Sequence, residues 1–179
     1  KCLAAMAVLI GVAVLPAPVR AAEPDKVLGV NGQNILEAEN NTVPCGEGTA
    51  KYDPASGILT LEEAVINTTE ANGYGIYAED TSGEPMNLSL RLNGTNEIQA
   101  DLGEAAISGI YVLGSIDIEG EGSLYLNTEY GMYVEGELLL TDAHLTVNSV
   151  DEAIVAEKDI IVKGKGSTLN VGSAEAAGI

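Results

Sequence analysis

Apolar and polar residues alternate through most of the chain beyond residue 58, in short runs parted by Gly, Ser and acidic residues. Alternation sends every second side chain to the same face of a strand. Gly109 to Tyr130 holds three such runs: Ile110-Tyr111-Val112, Ile116-Asp117-Ile118 and Leu124-Tyr125-Leu126. The six aliphatics are placed inward; Tyr111, Asp117 and Tyr125 are placed outward. The set then recurs. Gly131-Met132-Tyr133-Val134 repeats Gly109-Ile110-Tyr111-Val112 after 22 residues, Ala153-Ile154-Val155-Ala156 follows after another 22, and Gly178-Ile179 after 25 more. Gly75-Ile76-Tyr77-Ala78 is the same element 34 residues earlier. A strand-like repeat with a period in the twenties means a solenoid. A leucine-rich repeat is excluded, because each unit has three period-two runs and no return leg with helical spacing.

The pattern predicts an all-β fold, a right-handed parallel β-helix of about five coils near 22 residues each, with an N-terminal β-rich cap. Inward positions of the middle run align as Leu90 and Leu92, Ile116 and Ile118, Leu138 and Leu140, then Ile160 and Val162. The third run aligns as Ile98, Leu124 and Leu126, Leu145 and Val147, then Leu169 and Val171. Like stacks on like at the strand spacing of a sheet, roughly 4.8 Å. No coil buries its interior alone, so neighbours supply the core. The absence of Phe and Trp suits a narrow interior. Asn93-Gly94-Thr95-Asn96, Glu119-Gly120-Glu121-Gly122 and Lys163-Gly164-Lys165-Gly166 read as equivalent corners, where Gly accepts the positive φ of a sharp bend. Thr141-Asp142-Ala143-His144 is one residue shorter and lacks Gly.

Three segments follow. Residues 1–21 read as a secretory signal peptide: Lys1, an apolar stretch from Leu3 to Leu15 too short to span a bilayer comfortably, then Pro16, Pro18 and cleavage after Ala21. Residues 22–57 are expected to cap the first coil. Within them Glu37 to Thr49 reads as loop, and Asp53-Pro54-Ala55-Ser56-Gly57 as a turn with Gly in the left-handed position. Residues 58–179 are expected to form the β-helix, which breaks off at Ile179, so further domains are expected beyond it. Two excesses of length, Glu79 to Pro85 and Gln99 to Ala105, read as insertions at solenoid loops.

The formal charge is −19, and losing Lys1 and Arg20 with the leader makes it −21. Such a chain will not seek nucleic acid or an anionic membrane surface, and no segment marks it as an integral membrane protein. Cys45 is the one cysteine outside the leader, so no internal disulfide is expected, which fits a protein exported by a bacterium.

The candidate ligand-binding residues are Tyr77, Tyr111 and Tyr133, which share one outward position in three successive coils, followed by Val155. Stacked at coil spacing they are expected to offer a flat strip of ring faces, suited to the apolar C–H faces of sugar rings. Stacked tyrosines also stabilise register between coils, as cross-strand aromatic pairs do. Acidic residues at corners and outward positions, among them Asp80, Asp101, Asp117, Glu119 and Asp142, give Ca²⁺ as a possible cofactor, although a solvated acidic surface explains them as well. No catalytic residue is assigned. Arg91 is expected to pair with Asp117 one coil on, and His144 is a lone histidine without a nucleophile motif.

Tyr52-Asp53, Gly57, Leu59-Thr60-Leu61, the run Leu92 to Ile98 and the run Ile118 to Leu124 occur in an order that resembles a family of secreted bacterial carbohydrate-binding β-helix proteins with a polysaccharide-lyase-like fold, found in clostridia and related anaerobes. Ser56 stands where Thr is usual. The resemblance spans about residues 27–179 and implies secretion and non-catalytic binding of polysaccharide, in some members with Ca²⁺. The matching residues are fold-determining ones. The expectation is therefore a secreted or cell-surface polysaccharide-binding module. The alternatives are an adhesin or stalk that binds a protein or host surface, and a polysaccharide lyase or glycoside hydrolase.

Overall fold

The computed structural model describes residues 25–69, 73–100 and 108–174. The expected signal peptide, Asp101 to Ala105 and Gly178-Ile179 lie outside the described residues. In chain order the strands are β1 (Lys26–Val30), β2 (Gln33–Asn34), β3 (Thr42–Cys45), β4 (Gly48–Asp53), β5 (Ile58–Glu62) and β6 (Val65–Thr68). Then come β7 (Tyr74–Asp80), β8 (Leu88–Asn93), β9 (Thr95–Ala100), β10 (Ser108–Val112), β11 (Ile116–Glu119) and β12 (Ser123–Thr128). The last six are β13 (Tyr130–Val134), β14 (Leu138–Thr141), β15 (His144–Ser149), β16 (Ile154–Ala156), β17 (Ile160–Lys163) and β18 (Thr168–Ser173).

These strands form a parallel β-solenoid with three faces. One sheet runs β7, β10, β13, β16; a second runs β5, β8, β11, β14, β17; a third runs β6, β9, β12, β15, β18. Every pairing within those three runs is parallel, and the chain climbs about three turns between β7 and β16. Antiparallel strands lie across the N-terminal end: β1 pairs with β7, and β4, itself paired with β3, pairs with β5. Asp53 to Gly57 forms the expected turn. The Gly57 N–H donates to the Asp53 carbonyl at 2.8 Å and Gly57 has φ +75°. The N–H of Ala55 and the hydroxyl of Ser56 donate to the Asp53 carboxylate, which lowers its pKa.

The core is a set of stacked aliphatic rows. Ile76, Ile110, Met132 and Ile154 stand in register in the first sheet, and Leu59, Leu90, Ile118 and Leu140 in the second. Ile66, Ile98, Leu126 and Val147 fill the third, and all twelve are buried.

Three local expectations are corrected. First, Ile116 and Ile118 pair with Leu88 and Leu90, not with Leu90 and Leu92. Sliding a strand by two residues keeps every side chain on its face, so alternation alone does not distinguish the two registers. Gly122 consequently lies over Gly94, whose carbonyl accepts the Ser123 N–H at 2.8 Å, and Arg91 faces Glu119, not Asp117. Second, the inward partner of Leu124 is Asn96. Asn96 is fully buried, accepts the Ala64 N–H at 2.9 Å and donates to the carbonyls of Asn93 and Ser123 at 3.1 and 3.3 Å. One amide thus satisfies backbone groups of three successive coils. Third, Glu37 to Thr49 contains β3 and the start of β4 rather than only loop. Val43, Cys45 and Ala50 are buried, and Pro44 is tolerated because β3 is an edge strand. At the corner without Gly, Asp142 takes the positive φ itself, at 51°.

Candidate functional site

The first sheet carries the candidate site. In β7, β10 and β13 the second and third residues are both buried, Gly75-Ile76, Gly109-Ile110 and Gly131-Met132, where strict alternation would bury one. A Cβ on Gly131 would come within 2.1 Å of the Ala153 carbonyl oxygen, so the glycine allows the turn above to sit down closely. The break in alternation leaves the residues on either side of each buried pair facing outward. Tyr74 and Tyr77 therefore share a face, as do Tyr130 and Tyr133. Before Tyr130, the buried Thr128 hydroxyl donates to the Tyr130 carbonyl at 2.7 Å and fixes the corner from which the strand starts.

Tyr77, Tyr111 and Tyr133 pair in register and form one row, as their spacing predicts. Ring centroids are 5.7 Å apart between Tyr77 and Tyr111 and 4.9 Å between Tyr111 and Tyr133, with interplanar angles of 27° and 19°. Tyr74, which the sequence pattern passed over, stacks on Tyr77 at 5.0 Å and tilts against Tyr111 at 5.0 Å. Near-parallel rings this close overlap face to face, since a phenol ring is wider than their separation. The row is thus a slanted stack that offers ring rims along its length instead of a flat strip of faces. At its upper end Tyr133 meets Val155, not a fourth ring. A small notch of about 180 Å³ opens there, lined by Tyr111, Tyr130, Tyr133, Met132, Glu152 and Val155, with Ser108 at its edge.

Beside the row, at the corner leading to the second sheet, runs a larger groove of about 410 Å³. It is lined by Gly114, Ser115, Gly136, Glu135, Glu157 and Lys158, together with Pro85 at the end of the inserted loop and Asn87 just beyond it. The Asn87 side chain accepts the Ser115 N–H at 2.8 Å and the Ser115 hydroxyl accepts the Glu137 N–H at 3.1 Å, so this lining is tied across coils.

Carboxylates border the tyrosines. The Tyr133 hydroxyl donates to Glu157 Oε1 at 2.6 Å, and that of Tyr77 donates to Glu79. The bond to Glu157, followed by burial and the charges of Glu157 and Glu135, pushes the Tyr133 phenol up to about 12. Burial raises Tyr111, with Tyr74, Glu135, Glu79 and Glu157 adding to it. The charge of Asp151 and a bond to it raise Tyr130.

The other candidate residues do not converge on this face. Arg91 Nε donates to Glu119 Oε1 at 3.0 Å as a surface pair. Asp117 is half-buried with one carboxylate oxygen unpartnered, and burial raises its pKa. His144 Nδ1 lies 2.8 Å from the Thr168 hydroxyl on the third sheet. Tyr125 stands exposed on that same sheet. Burial raises the Cys45 thiol to about 11, which makes it a poor nucleophile. Among the described residues no three His, Cys, Asp or Glu side chains gather as metal ligands, and no helix is long and apolar enough to cross a membrane.

No protein-family model matches the chain, and neither curated proteins nor solved structures provide a significant match.

Proposed function

We propose that the chain is a non-catalytic polysaccharide-binding module, exported by a bacterium to its surface or surroundings. In this reading it is a right-handed β-helix of about five coils, with residues 22–57 as an N-terminal cap. The observation that carries it is the tyrosine stack of Tyr77, Tyr111 and Tyr133 beside a groove that runs along the solenoid. A glycan chain is long and repetitive, and so is this face. A sugar ring would place its C–H face on Tyr133 in the notch and on the rims below, while hydroxyls reach the Glu135 and Glu157 carboxylates and the polar groove lining. Tyrosine supplies apolar area together with a polar tip at low entropic cost, which suits a partly wet ligand. The motif resemblance of residues 27–179 adds support. A Ca²⁺ requirement, drawn from that resemblance and from the acidic corners, has no ligand cluster among the described residues.

The test is a pull-down of the full chain on insoluble cellulose, pectin and mucin, with Ca²⁺ and with chelator, while released sugar and unsaturated product are assayed. Retention without product is expected, with loss of retention in Tyr111→Ala and Tyr133→Ala variants that fold normally. Product would overturn the reading in favour of a lyase or hydrolase. No retention would overturn it in favour of an adhesin or stalk.

A further inference from the structure

We infer that the tyrosine face selects polysaccharides bearing free amino groups, such as polymers of unacetylated glucosamine, over neutral and uronate glycans. The inference rests on the reading of this face as a glycan site and adds the charge of its ligand.

Glu135 and Glu157 each stand two positions past the tyrosine row, and Glu79 holds that place beside Tyr77. The backbone carries them in register, since the Glu135 N–H donates to the Val112 carbonyl at 3.1 Å and the Glu157 N–H to the Val134 carbonyl at 3.0 Å. Glu135 and Glu157 are neighbours in this line beside the rings, Leu113 takes the place two past Tyr111 and parts them from Glu79, and Glu79 and Glu157 already hold tyrosine hydroxyls. At the other end of the strands stand Asp151, Glu129 and Glu152, whose charges, that of Asp151 first, raise the Tyr130 phenol. Lys158 lines the groove beside Glu135 and Glu157, and Lys26 of β1 stands opposite Asp80 at the N-terminal end of the sheet, away from the notch.

The notch joins the two features. Tyr130, Tyr133 and Glu152 line it, and its far side is Val155, which leaves room. An ammonium group seated there would meet the π-face of Tyr133 and the carboxylate of Glu152 together. Aromatic rings attract cations through their quadrupole, and the attraction adds to that of an adjacent carboxylate. A uronate in the same place would face the carboxylate of Glu152, and like charge costs affinity. N-acetylation would remove the ammonium and add bulk to a notch of about 180 Å³.

The experiment measures binding of soluble glucosamine oligomers, their N-acetylated counterparts, cello-oligomers and oligogalacturonates to the full chain by calorimetry at moderate salt, below the pH at which the amines lose their protons. The amine form is expected to bind about tenfold more tightly than the acetylated form, equivalent to about 1.4 kcal/mol. Glu152→Gln should remove most of that preference while leaving binding of the acetylated form unchanged. Glu97→Gln, the same charge change on the third sheet, should leave it intact, which separates a built site from general attraction to an acidic protein. Equal binding of acetylated or neutral oligomers overturns the inference and leaves the glycan reading standing. Equal loss in Glu97→Gln also overturns it, as diffuse charge. Binding of no oligomer overturns both.

Discussion

The inside of the middle turns and the inside of the last turn carry the same kinds of residue in the same register, yet their environments differ. Leu140, Leu145 and Val147 are almost fully buried. Val162, which pairs with Leu140, is 46% exposed, and Ile160, Leu169 and Val171 are partly exposed. The N-terminal end resembles the middle: Leu59 and Leu61 of β5 are fully buried where β4 pairs with that strand, and Leu28 and Val30 are fully buried in β1, which pairs with β7. Burial in this fold is therefore supplied by the neighbouring turn and not by the coil's own sequence.

The largest effect expected from this difference is in the core rows. Leu90 is covered by Leu59 on one side and Ile118 on the other, so Leu90→Ala should cost about 2–5 kcal/mol. In the same 179-residue chain Val162→Ala should cost about 1 kcal/mol or less, because Val162 is 46% exposed there. Urea unfolding midpoints check both, and equal losses would break the comparison.

Buried polar contacts should follow the same order. Asn96→Ala would leave the Ala64 N–H without its partner and should cost about 1–3 kcal/mol. Asn170→Ala in the last turn, which gives up an exposed 3.4 Å contact to Thr146, should stay within about 0.5 kcal/mol. Close approach between turns offers a third pair. Gly131→Ala drives a methyl into the Ala153 carbonyl and should cost about 1–3 kcal/mol. Gly166→Ala meets nothing within 4 Å and should shift the thermal midpoint little.

A pH titration sharpens the contact between these two turns, since Tyr133 belongs to the covered turn and Glu157 to the last one. The folded pKa of Tyr133 is raised from 10 to about 12, so the fold prefers the neutral phenol. The stability linked to it is complete below pH 10 and is lost as the pH rises through about 12. Absorbance titration should find Tyr133 ionising late, and Glu157→Gln should bring it back toward 10. An unchanged titration curve would mean that the hydroxyl bond does not form in solution. The smallest effect is expected at the surface pair: Arg91→Ala should cost about 0–1 kcal/mol, and less in high salt.

Much of this was legible in the chain. Alternation gave the inward rows, the recurring Gly-Ile-Tyr-Val element gave the repeat, and together they put Tyr77, Tyr111 and Tyr133 in one row. The membership of Tyr74 was not legible, because it depends on Gly75 counting as a buried position and breaking the alternation. The exact register of β8 was not legible either. A shift of two residues leaves an alternating pattern unchanged, so the Arg91 partner had to be decided by the length of the corner between β8 and β9. Asn96 reads as a corner residue until a coil on each side supplies the carbonyls and the N–H it satisfies.

Within the alternating runs the sequence by itself determined which residues face inward, because period-two alternation fixes a side chain's face without reference to any neighbour. Only the tertiary structure decided which turn lies on which, how the tyrosine rings spend their faces on one another, and where the notch beside Val155 opens. Those depend on contacts between residues more than twenty positions apart, where shape and hydrogen-bond geometry decide what hydropathy leaves equal.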